Sequence, residues 1–190
     1  MNTVIRNRRS IFPRQFTGET IPRALLLQLL ENANWAPTHR HTEPWRFHVI
    51  QGEARERLGQ FLAEAYRANT PESEFSAAKY EKTLRQPMQA SAVIAIGMQR
   101  DLQERVPEWE EIAAVACAVQ NLWLSATALG LAGYWSTPKA MLGTPAFLAT
   151  APGERCLGLF YLGTWIPEAA PGKRSPIDEK VRWIGSNCTR

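Results

Sequence analysis

Between Glu111 and Lys139 the chain carries not one formal charge. From Trp109 to Gly130 the run reads as one long helix that is apolar on every side, and such a helix must be covered on every side. Its length would cross a bilayer, which takes roughly 20 residues. Against a membrane span, Gln120, Asn121, Ser125 and Thr127 fall in its middle, and Ala dominates over Leu and Phe. A buried central helix is expected instead, wrapped partly by its own subunit and partly by a second copy. One small domain rarely buries a helix this long alone, so the pattern points to an obligate homodimer.

The remaining pattern predicts an alternation of helices and strands. A short helix is expected within residues 1–10, and a second from Ile21 to Trp35, with Pro22 in its first turn and Leu25, Leu26, Leu29 and Leu30 forming the stripe. A turn-rich loop, 36–44, leads into a strand from Trp45 to Gln51. Helices are expected over 53–69 and 74–86. Ser91 to Met98 is a nearly continuous apolar run, as in a strand covered on both faces. Leu131 to Ser136 and Cys156 to Leu162 are the other strand candidates, with a short helix from Pro138 to Leu148 between them. No repeat or linker divides the chain, so residues 1–190 are expected to form a single domain.

Composition sharpens this only in places. Hydrophobic residues make up 45% and charged residues 21% of the 190, which excludes a disordered chain. Seven Trp suit a large core, a subunit interface or a flat ligand. The net charge of +4 raises nucleic acid as a partner. Yet the basic residues gather only at Arg6, Arg8 and Arg9 and at Lys173 and Arg174, while elsewhere signs alternate, as in Glu53 to Arg57. A small phosphorylated ligand fits that distribution better than a polyanion. Cys117, Cys156 and Cys188 are odd in number and widely spaced, neither a disulfide framework nor a metal pair. Met1 to Ser10 carries three Arg and no apolar core, so no secretory leader and a cytoplasmic location are expected.

No self-sufficient catalytic motif stands out. His39, His41 and His48 lack Cys or acidic partners at metal-ligand spacing, and no G-x-S-x-G elbow, P-loop or G-x-G-x-x-G fingerprint occurs. The chemistry is therefore expected to come from a cofactor. Arg8-Arg9-Ser10 offers two planar cationic forks and a hydroxyl, suited to a phosphate; equally, it is an ordinary solvated helix end. Pro37, Thr38, His39 and Arg40 sit on a loop stiffened by two prolines. Trp135-Ser136-Thr137-Pro138 leaves a strand with backbone N–H groups available to a ligand.

In order along the chain, Arg8-Arg9-Ser10, Leu29 to Thr38, Glu43-Pro44-Trp45-Arg46-Phe47, the uncharged helix ending in Gly130, Gly133 to Ser136, Gly158 to Gly163 and Lys173 to Glu179 together resemble the nitroreductase superfamily, in particular its short single-domain members. The resemblance implies an α+β, three-layer fold, a central, mostly antiparallel sheet flanked by helices, in an intertwined homodimer with FMN at the interface. It assigns Arg8, Arg9 and Ser10 to the phosphate, the ribityl chain and the polar edge of the flavin, and Lys173 and Arg174 to further phosphate contacts. His39 would reach the partner's flavin, with Pro37 and Thr38 lining the same pocket, and Trp135, Ser136 and Thr137 would pass beside the ring. Two positions depart from the family's pattern: Glu43 where Asn or Gln is common, and Trp35 in place of a basic flavin contact.

The implied activity is transfer of hydride from NADH or NADPH, through FMN, to a nitroaromatic or quinone-like acceptor by a ping-pong scheme, with no side chain as obligatory acid or base. Other reductions on the same scaffold (of enones, free flavins or halogenated compounds) remain open. The alternative from another class is a basic nucleic-acid-binding module.

Overall fold

The computed structural model describes residues 1–167 and 172–185; Cys188 lies outside them. Nine regular elements follow in chain order: α1 (Asn2–Asn7), α2 (Arg23–Asn34), β1 (Trp45–Ile50), α3 (Glu53–Ala68), α4 (Ala77–Arg85), β2 (Ala92–Gln99), α5 (Glu108–Ala128), β3 (Leu131–Ser136) and β4 (Glu154–Thr164).

The strands form one antiparallel sheet in the order β1-β2-β4-β3. Strand β2 shows why its sequence is apolar throughout. Ile94, Ile96 and Met98 pack on one face with α2 and α5, while Val93 and Ala95 face α3 on the other. With successive side chains on opposite faces, both faces of this strand are buried. The three-layer α+β arrangement expected from the sequence follows: α2 and α5 on one side, α3 and α4 on the other. Among the described residues the one parallel feature is a bridge from Ser10 to Gly133, which lays the segment after α1 along the open edge of β3. Ile11 N–H donates to the Gly133 carbonyl at 3.1 Å.

One expectation is corrected. The stretch from Pro138 to Leu148 is not a helix but a single 3-10 turn, Lys139–Met141. Gly143, at φ +76°, turns the chain back so that its N–H and carbonyl bond to Cys156, and Pro145 follows. Within one chain, α5 is covered on one face only, the share of the expected wrapping that a single subunit supplies. Ala114, Val115, Ala118, Val119, Leu122, Trp123 and Ala126 are buried, whereas Ile112, Ala113, Ala116, Cys117, Gln120 and Ala128 are exposed. Among the described residues no helix is long and apolar enough to cross a membrane.

Candidate functional site

The N-terminal arginines are set by α1 and by the bridge to β3. Helix α1 stops at Arg8, whose backbone turns extended, and two residues on the chain locks onto Gly133. That delivers Arg8 and Arg9 to the α5 side of the β3 edge. The C-terminal segment reaches the same place: a side chain on Gly172 would lie 2.5 Å from Arg9 Cζ, so the backbone there rests on the guanidinium. Arg174 is close enough that, after burial, its charge and that of Arg9 push the Arg8 guanidinium below its ordinary value.

Three cations thus share one corner. Among the described residues none of them is paired with a carboxylate. Arg9 donates to the carbonyls of Arg6 and Arg8, and Arg174 to that of Lys173 at 2.7 Å. Arg8 Nη1 and Arg9 Nε are buried without any partner. Buried polar groups are seldom left unpaired, and unpaired cations in a cluster are costlier still. An anion could supply what the corner lacks, and guanidinium forks match phosphate oxygens well.

The strand end predicted to border the ligand lies on the same edge. Gly133 and Trp135 face α5, and Tyr134 faces the opposite layer. After Trp135 the chain turns over Gly158, whose φ is +140°: a side chain there would come within 2.6 Å of Ser136 O and 2.7 Å of Trp135 Nε1. Trp135 Nε1 is likewise buried without a partner. On the Tyr134 side opens a cavity of about 670 Å³, lined by Phe12, Arg14, Lys82, Gln86 and Tyr134 among others. The Phe12 and Tyr134 rings lie 4.7 Å apart. Of these cavity residues only Tyr134 was visible in the sequence, within the motif Gly133 to Ser136; Lys82 lies on α4, which carries only the polar pattern of a solvated helix.

The loop residues fall elsewhere. His39 Nδ1 lies 2.6 Å from Glu110 Oε2, at the first turn of α5, and Thr38 Oγ1 accepts from the Glu43 N–H at 3.1 Å. Arg8, by contrast, stacks on Trp123, 4.3 Å from the ring centre. Thirteen residues separate Glu110 from Trp123, so within one chain Pro37, Thr38 and His39 are roughly 20 Å along α5 from the arginines. Arg8, Arg9, Ser10, Trp135, Ser136, Thr137 and Arg174 are brought to one edge; Lys173 adjoins Arg174 in sequence, and both are exposed. Arg40, His41 and Glu43 hold left-handed backbone at φ of 52°, 52° and 41°, unusual for side-chain-bearing residues. Trp35 is 78% exposed, its indole N–H donating to Glu31. Among the described residues no group of His, Cys, Asp and Glu is placed to hold a metal.

A helix-covered antiparallel sheet, with an arginine corner beside an edge strand that no carboxylate neutralises among the described residues, defines an α+β protein with a site that could take a small anionic ligand. The chain belongs to the nitroreductase family: the model of the "Nitroreductase family" matches residues 5–164. It is 29% identical over 184 residues to the candidate NAD(P)H nitroreductase YfhC of Bacillus subtilis, covering 95% of this chain and 92% of that one. Among solved structures it is similar to a nitroreductase-like family protein from Bacillus cereus, with TM-score 0.78, 26% identity and coverage of 97% and 96%. A nitroreductase with bound FMN from Bacteroides fragilis shares the fold, at TM-score 0.69, 21% identity and coverage of 96% and 97%.

Proposed function

We propose that this chain is an FMN-dependent NAD(P)H nitroreductase working as a homodimer. The observation that carries the reading is the convergence of Arg8, Arg9 and Arg174, with buried unpaired donors on Arg8 and Arg9 and, among the described residues, no carboxylate paired to any of the three. The FMN bound in the Bacteroides fragilis relative and the NAD(P)H in the name of the Bacillus subtilis one support the choice of cofactor and donor. The corner fits a phosphate, and the edge beside it fits a flat ring.

Bound FMN would supply a ring that takes hydride from NADH or NADPH and passes reducing equivalents to a nitroaromatic or quinone-like acceptor. The chain's own part is positional and electrostatic. Arg8, Arg9 and Arg174, with Lys173 beside them and the Ser10 hydroxyl next in line, hold the phosphate end. Trp135, Ser136 and Thr137 border the ring, held over Gly158. Arg14 and Lys82 line the adjoining cavity beside the Arg85–Glu81 ion pair, and their positive charge would steady negative charge on a bound ring. The Phe12 and Tyr134 rings give that cavity an apolar wall that keeps water from one side of the reacting partners.

Helix α5 supports the dimer. Its outward face from Ile112 to Ala128 carries small and apolar residues with Gln120 among them and no charge, the surface a second copy would cover. Pro37, Thr38 and His39, far from their own arginines, are then available to the partner's site.

The test is direct. Freshly purified protein is expected to be yellow or to take up FMN, and to reduce a nitroaromatic with NADPH or NADH faster than free FMN does. Arg8→Ala with Arg174→Ala should weaken FMN binding by at least 100-fold, since each charged hydrogen bond is worth about 1.5–3 kcal/mol. Unchanged FMN affinity in the double variant sinks the phosphate assignment. A panel of quinone, enone, free-flavin and halogenated acceptors separates the remaining reductase activities.

A further inference from the structure

Arg8 sits in a corner that repels it. Arg9 and Arg174 are close by, burial disfavours its charge, and among the described residues it has no acidic partner. Something else must fix its guanidinium, and one group is in place: the face of Trp123, 4.3 Å away.

That indole is itself tightly held. Trp123 is 9% exposed and meets Phe160 edge to face, with ring centres 5.2 Å apart and planes at 81°. Phe160 is 1% exposed and pairs with Trp135 across the β3–β4 ladder. Gly133 leaves room for both rings: a side chain there would run into the tip of Phe160 and stand 2.9 Å from Trp123 Nε1. The same Gly133 anchors Ser10, two residues after Arg8. The rotamer of Arg8 is thus referred, through one aromatic stack, to the strand that borders the ligand.

We infer that Trp123 is the positioning residue for Arg8: its π face holds the guanidinium ready for the phosphate before the ligand arrives. An aromatic face attracts a cation without neutralising it, whereas a carboxylate would compete with the incoming anion. The role rests on the proposed reading that an FMN phosphate is bound here. It makes Trp123 specific to the phosphate end and indifferent to the ring.

The experiment compares FMN and riboflavin, which differ only in that phosphate, by fluorescence titration of the full-length apo-protein. Wild type, Trp123→Leu, Trp123→Phe, Arg8→Ala and the Arg8→Ala/Trp123→Leu double variant are measured. Trp123→Leu is expected to cut the preference for FMN over riboflavin roughly five- to thirtyfold, in the range of a partly desolvated cation–π contact. Riboflavin affinity should stay within about twofold, and Trp123→Phe should recover most of the preference. In the Arg8→Ala background, Trp123→Leu should change it no further. Should Trp123→Leu fail to fold, Trp123→Phe with and without Arg8→Ala carries the same cycle, with a smaller loss. Equal losses for both ligands, an undiminished preference, or additive effects in the double variant would overturn the inference. A wild type that binds both ligands alike would instead defeat the phosphate reading itself.

Discussion

At the scale of single residues, the ligand edge depends on Gly158. Its φ of +140° is a conformation that side-chain-bearing residues seldom adopt, and the missing side chain is the space where Ser136 O and Trp135 Nε1 come to rest. Gly158→Ala should therefore cost about 1–3 kcal/mol of stability, and it should also push Trp135 to Thr137 off their line beside the ring. Urea unfolding and FMN titration of the variant check the two effects. A variant as stable as wild type with unchanged FMN affinity would show that the turn tolerates the methyl. The sequence made Trp135, Ser136 and Thr137 visible as an ordered motif after the uncharged helix. It gave no sign of Gly158 as their seat, because that contact is between strands and belongs to no local pattern. Trp123 was hidden differently: an aromatic residue inside an apolar helix reads as core filling, and only the fold shows a cation resting on it.

At the scale of elements, the lead-in to α5 is held by carboxylates. Buried Glu111 accepts from Arg100 and, at 2.9 Å, from the Asp101 N–H. Asp101 in turn accepts from the N–H and the guanidinium of Arg105, and these hydrogen bonds hold its carboxyl at about 2, below its ordinary 3.8. A carboxyl depressed in the folded state favours folding above its unfolded value, and that contribution fades as pH falls through the folded one. The stability difference between wild type and Asp101→Asn should hence be constant above about pH 4 and shrink between roughly pH 4 and 2, as followed by denaturant midpoints across that range. A difference that does not change with pH would remove Asp101 from the account. Element by element, the strongly periodic or continuous segments were the legible ones: Leu131 to Ser136 matched β3 residue for residue, and β2 and α5 came within a residue or two. The stretch from Pro138 to Leu148 misled because its hydrophobic spacing suits a helix, while its two prolines and Gly143 commit it to turns and to backbone bonds with Cys156. The Arg14 and Lys82 side of the cavity was illegible because two solvated charges, far apart in sequence, meet only through tertiary packing.

At the scale of the whole molecule, the proposal couples assembly to ligand binding. The arginine corner and the ring edge come from one chain, whereas Pro37, Thr38 and His39 sit roughly 20 Å away along α5, and in the proposed dimer they would complete the neighbour's site. Covering the outward face of α5 would then bring the second half of each site into place. Ala116 is exposed in the middle of that uncharged face, about two turns before Trp123 along α5. A charge there would be harmless on a free surface, since surface substitutions usually change stability by less than about 0.5 kcal/mol. Buried unpaired between two helices, it costs several kcal/mol. Ala116→Arg is thus expected to sediment as a monomer at concentrations where wild type is a dimer, and to lose FMN affinity in parallel, with the loss partly reversed at high protein concentration by mass action. Analytical ultracentrifugation and FMN titration on the same samples decide it. A dimeric Ala116→Arg would place the interface elsewhere, and a monomer with undiminished FMN affinity would mean that each chain holds its ligand unaided, leaving His39 with no part in the site.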